Sequence, residues 1–284
     1  MQRYRILHRT YYSFDDIVLL GQHVLRLRPR ESHELRIEAS MLRITPTASV
    51  LWHRDVDDNS VATATFKTSA NQILFESDII VQQFNETPLN FVVAGYAMDY
   101  PFEYTAEERI GLFAYIEQAY RSTNDSLDDW ISGFWIYGER VQTYVMLQSI
   151  NTAINESFRY TTREEPGVQS PTETLAIGSG SCRDFAALFI AAARRLGLAA
   201  RFLSGYLKAA PSSMNFGATH AWAEVYLPGA GWKGFDPTLG KIVGADHIAV
   251  AVAREPESVP PIEGSFTGYA GSTMNVGVWV TELE

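Results

Sequence analysis

The chain has 284 residues, 46% of them hydrophobic, and 33 acidic residues against 23 basic ones give a formal net charge of −10. This is the composition of an ordinary globular protein of one large or two modest domains, and 12% aromatic residues exclude disorder as its main state. The acidic balance argues against nucleic acid as a partner, and no apolar run approaches the roughly 20 residues of a membrane span.

The start, Met1 to His8, shows neither the apolar stretch nor the small-residue cleavage site of a secretory signal, so a cytoplasmic protein is expected. Over the first ninety residues, Leu25 and Leu27 alternate with Arg26 and Arg28, and Leu35, Ile37, Ala39 and Met41 alternate with Arg36, Glu38 and Ser40. Val61 to Phe66 is a β-branched run after the Asp57-Asp58-Asn59 turn, and Ile73, Phe75, Ile79 and Val81 share a face. Period two between turn clusters predicts an antiparallel, β-sandwich-like domain over residues 1–95. Nothing in it concentrates catalytic residue types, so it reads as a scaffold or a binding face. The local cluster Arg26, Arg28 and Arg30 reads as a solvated strand face.

The character changes near Asp99-Tyr100-Pro101, and residues 96–284 are taken as a second domain. Val141, Tyr144, Val145, Ile150, Ile154 and Phe158 recur at helical spacing, and a loop from Thr161 to Pro171 follows. Next comes Ser179-Gly180-Ser181-Cys182-Arg183-Asp184, then an Ala- and Leu-rich run ending in Arg194-Arg195-Leu196-Gly197. Two terminal arginines and a glycine are helix-ending signals, while Ser181 and Asp184 are spaced as a capping box. Cys182, the chain's one cysteine, then opens a buried helix.

A lone cysteine excludes an intrachain disulfide or a thiolate metal cluster, and by default it is a small buried hydrophobe. At a helix start, however, unpaired N–H groups and the positive end of the dipole favour a thiolate nucleophile. Gly178 and Gly180 are expected to keep the approach open to substrate. Downstream, Thr219 to Leu227 alternates, with His220, Trp222, Glu224 and Tyr226 on one face; Pro228 to Gly231 turns, and Gly231 to Pro237 returns as a strand carrying Asp236. For Asp236 to reach His220, Tyr226 must pair with Trp232 across a five-residue connection. Singly, His220 could be a core histidine and Asp236 a turn residue. Together with Cys182 they supply a nucleophile, a base and an orienting carboxylate. The six histidines (8, 23, 33, 53, 220 and 247) show no HExxH or His-x-His spacing, so no metal and no cofactor are expected.

The pieces Gly180-Ser181-Cys182-Arg183-Asp184-Phe185, Arg195 to Arg201, Ser204-Gly205-Tyr206, Thr219 to Tyr226 and Gly231 to Thr238 resemble the transglutaminase-like superfamily. This is the papain-related α+β fold of animal transglutaminases and bacterial cysteine peptidase candidates. Residues 1 to about 90, and the strand from Asp246 to Arg254, are similar to its bacterial branch. The resemblance implies a papain-like transglutaminase core with Cys182 as nucleophile, His220 as base and Asp236 as orienting acid. It also implies the backbone N–H of Cys182 as oxyanion donor. Neither Trp130 nor Trp135 sits in a motif that assigns it the oxyanion role of a transglutaminase tryptophan. Gly180 and Trp222 are taken as substrate-binding.

The expected activity is hydrolysis of a peptide or related amide through a thioester, on a peptide or protein substrate, without nucleic acid or membrane. Amine transfer by the same residues, or a non-catalytic binding module on this fold, are the alternatives. The loop from Ala209 to Gly217, with Met214 and Phe216 as its large apolar groups, is expected to be a mobile cover that admits water. Oligomeric state is left open.

Overall fold

The computed structural model describes residues 1–118, 125–163, 165, 167–208 and 219–284. Its first element, Gln2–Leu25, is a 24-residue strand in which Tyr4, Ile6, His8 and Thr10 turn inward between Arg3, Arg5, Leu7 and Arg9. That alternation fixes which face is core. The first half of the strand pairs with Ser69–Gln83 on one side and Ser272–Leu283 on the other. The register shifts between Ser13 and Val18, and the second half pairs with Ser60–Phe66 and Ile262–Thr267. Leu35–Thr45 and Ala48–Arg54 lie at the outer edges, completing a seven-stranded antiparallel sheet. The β-rich region is therefore one sheet, curled nearly closed around Phe14, Val18, Leu25, Ala62, Ile73 and Phe75. Two of its strands come from the far end of the chain.

Two of the three clustered arginines are not simply a solvated face. Arg26 donates to the carbonyl of Pro260, and Arg30 donates to the carbonyl of Asp57 and to Asn59 Oδ1, so both tie loops to the sheet.

The second sheet has five strands in the order Lys241–Ile242, Gly231–Asp236, His220–Leu227, Ala200–Leu207, His247–Ala253, all antiparallel. Across it lies the helix Cys182–Arg195, whose Phe185, Leu188, Phe189 and Ile190 are buried. Its cap contributes about 1 kcal/mol, whereas each of these four side chains contributes roughly 2 kcal/mol by burial. Packing, not local propensity, holds the helix rigid. Phe189 stacks on Phe235 of the sheet at 5.2 Å. Tyr4, Ile6, Ile79 and Val81 of the curled sheet share this core, so one apolar interior runs through both parts.

The helical spacing that starts at Val141 yields a helix that begins later, at Thr143–Ser157, because Val141–Gln142 is drawn into a bridge with Asp99–Tyr100. A short helix, Pro171–Ile177, starts on a Ser170–Glu173 capping box and ends at Gly178. No described helix is long and apolar enough to cross a membrane.

Candidate active site

Ser181 precedes the central helix in an extended conformation, and Cys182 is the helix's first residue, where the backbone N–H has no partner within the helix. Asp184 fixes this start. Its Oδ2 accepts the backbone N–H and the hydroxyl of Ser181, each at 2.8 Å. Its Oδ1 accepts the N–H of Gln169 and the guanidinium of Arg163, each at 2.7 Å. The capping box expected from the sequence is present, and the same fully buried carboxylate also ties the 161–170 loop to the helix start at Cys182. Cys182 is half-buried.

The two glycines thought to keep this approach open serve the backbone instead. Gly178 caps the preceding helix at φ +68°, a conformation that favours glycine. Gly180 is buried, and a Cβ there would stand 2.9 Å from Asp184 Cβ and 3.3 Å from Gln169 Oε1. Its missing side chain makes room for Asp184, not for substrate.

The register of the two strands is the one the alternation requires. Tyr226 pairs with Trp232, Leu227 with Gly231 and Ala223 with Phe235. Asp236 thus ends its strand beside the start of the next, and His220 Nε2 donates to Asp236 Oδ2 at 2.7 Å. Asp236 Oδ1 accepts the N–H groups of Thr238 at 2.9 Å and Leu239 at 3.2 Å. Burial alone would raise the Asp236 pKa, but the two imidazoles His220 and His247 hold it well below the usual carboxylate range. Burial alone would likewise lower His220. The Asp236 charge and hydrogen bond, with a further contribution from Cys182, reverse this and raise it to about 10. His220 Nδ1 is buried with no hydrogen-bond partner of ordinary geometry among the described residues. With Nε2 committed to Asp236, Nδ1 is the nitrogen left to exchange a proton with Cys182.

Trp222, taken as substrate-binding, is 1% exposed. Its ring lies 6.0 Å from that of His220 and edge-on to His247 at 5.2 Å, so it backs the imidazoles and offers no surface to a ligand. Trp135 Nε1 donates to the carbonyl of Glu139, and Trp130 packs on Phe134 and Phe158. The expected covering loop lies outside the described residues.

Two residues went unassigned in the sequence. Tyr160 pairs beside Gly180, and its hydroxyl is pushed up to about 12, chiefly by burial and then by the charge of Cys182, so it stays an O–H donor near the thiol. His247 places Nε2 at 3.0 Å from Asp236 Oδ2. One ligand atom each from His220, Asp236 and His247 lies within 4.8 Å of the others, a set that could in principle hold a metal. The 2.7 and 3.0 Å separations are those of shared protons, however. Ligands on a tetrahedral zinc at ~2.0 Å stand about 3.3 Å apart. The donor set therefore fits a hydrogen-bonded cluster better than a metal shell.

Comparison with known proteins agrees with this architecture. Residues 137–237 match the family model of the transglutaminase-like superfamily, and residues 4–82 match that of the bacterial transglutaminase-like N-terminal region. Uncharacterized proteins of Mycobacterium bovis and Mycobacterium tuberculosis are each 29% identical over 299 residues, covering 99% of this chain and 93% of theirs. The crystal structure of a candidate cysteine protease from Cytophaga hutchinsonii superposes with a TM-score of 0.74 at 18% identity, covering 100% of this chain and 91% of that one. That likeness concerns the fold alone. The chain has a transglutaminase-like core joined to a bacterial transglutaminase-like N-terminal region.

Proposed function

We propose that the protein is a thiol hydrolase of peptide or related amide bonds, with Cys182 as nucleophile, His220 as proton carrier and Asp236 as the acid that orients it. The observation that carries this reading is the division of labour on His220: Nε2 is held by Asp236, while Cys182 is the other side chain whose hydrogen bond and charge act on the ring.

In the reaction, the Cys182 proton passes to His220 Nδ1 and Sγ bonds to the amide carbonyl carbon. The oxyanion meets the free N–H of Cys182 at the helix start. Collapse breaks the C–N bond, and His220 Nδ1–H protonates the departing amine, leaving a thioester on Cys182. Water then attacks as His220 takes its proton, the C–S bond breaks, and the proton returns to sulfur. Asp236 holds the Nε2–H and balances the imidazolium in both halves. No cofactor is consumed. A peptide or protein is the substrate class that suits an amide-cleaving thiol.

Cys182 is half-buried and not sealed in the core, and a thioester that water can reach is hydrolysed in preference to amine transfer. Incubation with a peptide amide library and a labelled primary amine, with products counted by mass spectrometry, tests this. Acid products that vanish in Cys182→Ala support the reading. Predominantly amine-labelled products at millimolar amine replace it with a transferase, and no turnover with an inert Cys182 replaces it with a binding role.

A further inference from the structure

We infer that His247 is a positioning residue of this site: as a second imidazole donor on Asp236 Oδ2, it fixes the carboxylate and restrains its hold on the His220 proton. The inference rests on the hydrolase reading above and adds to it a residue that the nucleophile–base–acid scheme leaves out.

The partners assign the proton on His247. Its Nδ1 accepts the N–H of Gly244 at 3.4 Å, so Nε2 carries the hydrogen and donates it to Asp236 at 3.0 Å. The side chain is 4% exposed and braced edge-on by Trp222. Its backbone is held from two directions. Leu207 pairs with His247 across the sheet, and the Gln83 side chain of the curled sheet donates to the His247 carbonyl at 3.1 Å. A histidine that only filled space would not need its tautomer, ring and backbone all fixed.

The consequence lies at Asp236, which accepts four N–H groups: two imidazoles on Oδ2, and Thr238 and Leu239 on Oδ1. That is the full capacity of a carboxylate. Each of the other donors engages part of the carboxylate that would otherwise act on His220. Without His247, Asp236 stabilises the His220 imidazolium more strongly, and His220 gives up its proton to a departing amine less readily. The other titratable or charged groups facing this cluster are Cys182 from the helix and Tyr160 beside Gly180. Lys241 pairs with Asp236 through the main chain, and Asp246 immediately precedes His247. All four remain in place when His247 alone is changed.

The test compares wild type, His247→Leu and His247→Gln, the last retaining a side-chain N–H. Two readouts are followed against pH: the rate of Cys182 alkylation by iodoacetamide, and kcat and KM on a peptide amide that the wild type cleaves. His247→Leu is expected to lose about tenfold or more in kcat with KM little changed, as when outer partners that orient a working imidazole are removed. Its basic inflection should rise by about half a pH unit or more, and His247→Gln should recover most of both. A kcat loss with the inflection unmoved would reduce His247 to a structural role and overturn the inference. An inert wild-type Cys182 would instead remove the hydrolase reading. Long-range ¹H–¹⁵N spectra of wild type decide the contact even if the Leu variant does not fold: Nε2–H on His247 is expected, and Nδ1–H would overturn the inference.

Discussion

His220 Nε2 stands 2.7 Å from Asp236 Oδ2, and neither side chain has exposed surface. The pair is buried beside Cys182, so the charge of Asp236 has no water to share it and acts on the imidazole. Asp236→Asn would keep the shape and remove that charge. Its amide N–H could face the ring only if the imidazole took the other tautomer, leaving Nδ1 wrong for proton exchange with sulfur. The expected result is a loss of about 10⁴-fold in kcat. Turnover of the peptide amide by the purified variant checks it, and a loss below about tenfold would show that Asp236 does not orient the base.

Asp184 holds four partners with one carboxylate, and removing it takes that acceptor from each of them. Asp184→Ala would leave the N–H groups of Ser181 and Gln169 without their acceptor and reduce Arg163 to its 3.7 Å contact with Glu165. Breaking such a pair from one side costs about 3 kcal/mol or more. Asp184→Asn, which keeps volume and one acceptor, should cost less. Urea unfolding measures both, and the alkylation rate of Cys182 should fall in parallel because the helix start moves.

Gly180 separates two explanations of a glycine before a nucleophile. If it kept a path open to substrate, Gly180→Ala would raise KM and leave stability alone. Its Cβ would instead meet Asp184 Cβ at 2.9 Å, which neither backbone can absorb cheaply. A destabilisation of about 1–3 kcal/mol is expected, a fall of several degrees in Tm for a chain of this size. Thermal unfolding beside KM on one substrate distinguishes the two.

What the sequence made legible was local. The start of the central helix could be read from Ser181, Cys182 and Asp184, because a capping box spans four consecutive residues. The His220–Asp236 register followed from side-chain parity and the length of one short connection. What stayed hidden depended on distant pairing. Nothing near Ser272–Leu283 says that it will lie against Gln2–Leu25, since alternation predicts a strand but not its neighbour. His247 was hidden for the same reason. It reaches Asp236 only because the sheet order brings the ends of four strands to one edge. Arg194 was read as a helix-ending charge, yet it is 3% exposed and donates to the carbonyls of Ala200 and Arg254 and to Glu255. Helix-end rules apply to a helix in water, and here the following strand folds over that end.

The buried histidines set stability limits on both sides of neutrality. His8, enclosed between Tyr206 and Thr10, is lowered to about 4 by burial. Its contribution is present above its unfolded pKa of about 6.5 and is lost as pH falls through about 4. Asp236, depressed by its two imidazoles, adds a further loss at still lower pH. His220 runs the other way. Raised to about 10, it contributes fully below about 6.5 and loses that contribution as pH rises through about 10. Each group adds a slope of up to about 1.4 kcal/mol per pH unit within its own window. Urea unfolding of wild type across pH should therefore fall away on both sides of a maximum near 6.5. His8→Gln should flatten the slope between pH 6.5 and 4 and leave the alkaline side unchanged, and His220→Gln should do the reverse. If His8→Gln kept the full acid slope, proton uptake in that window would belong to other groups, and the buried neutral histidine would have no part in the acid limit.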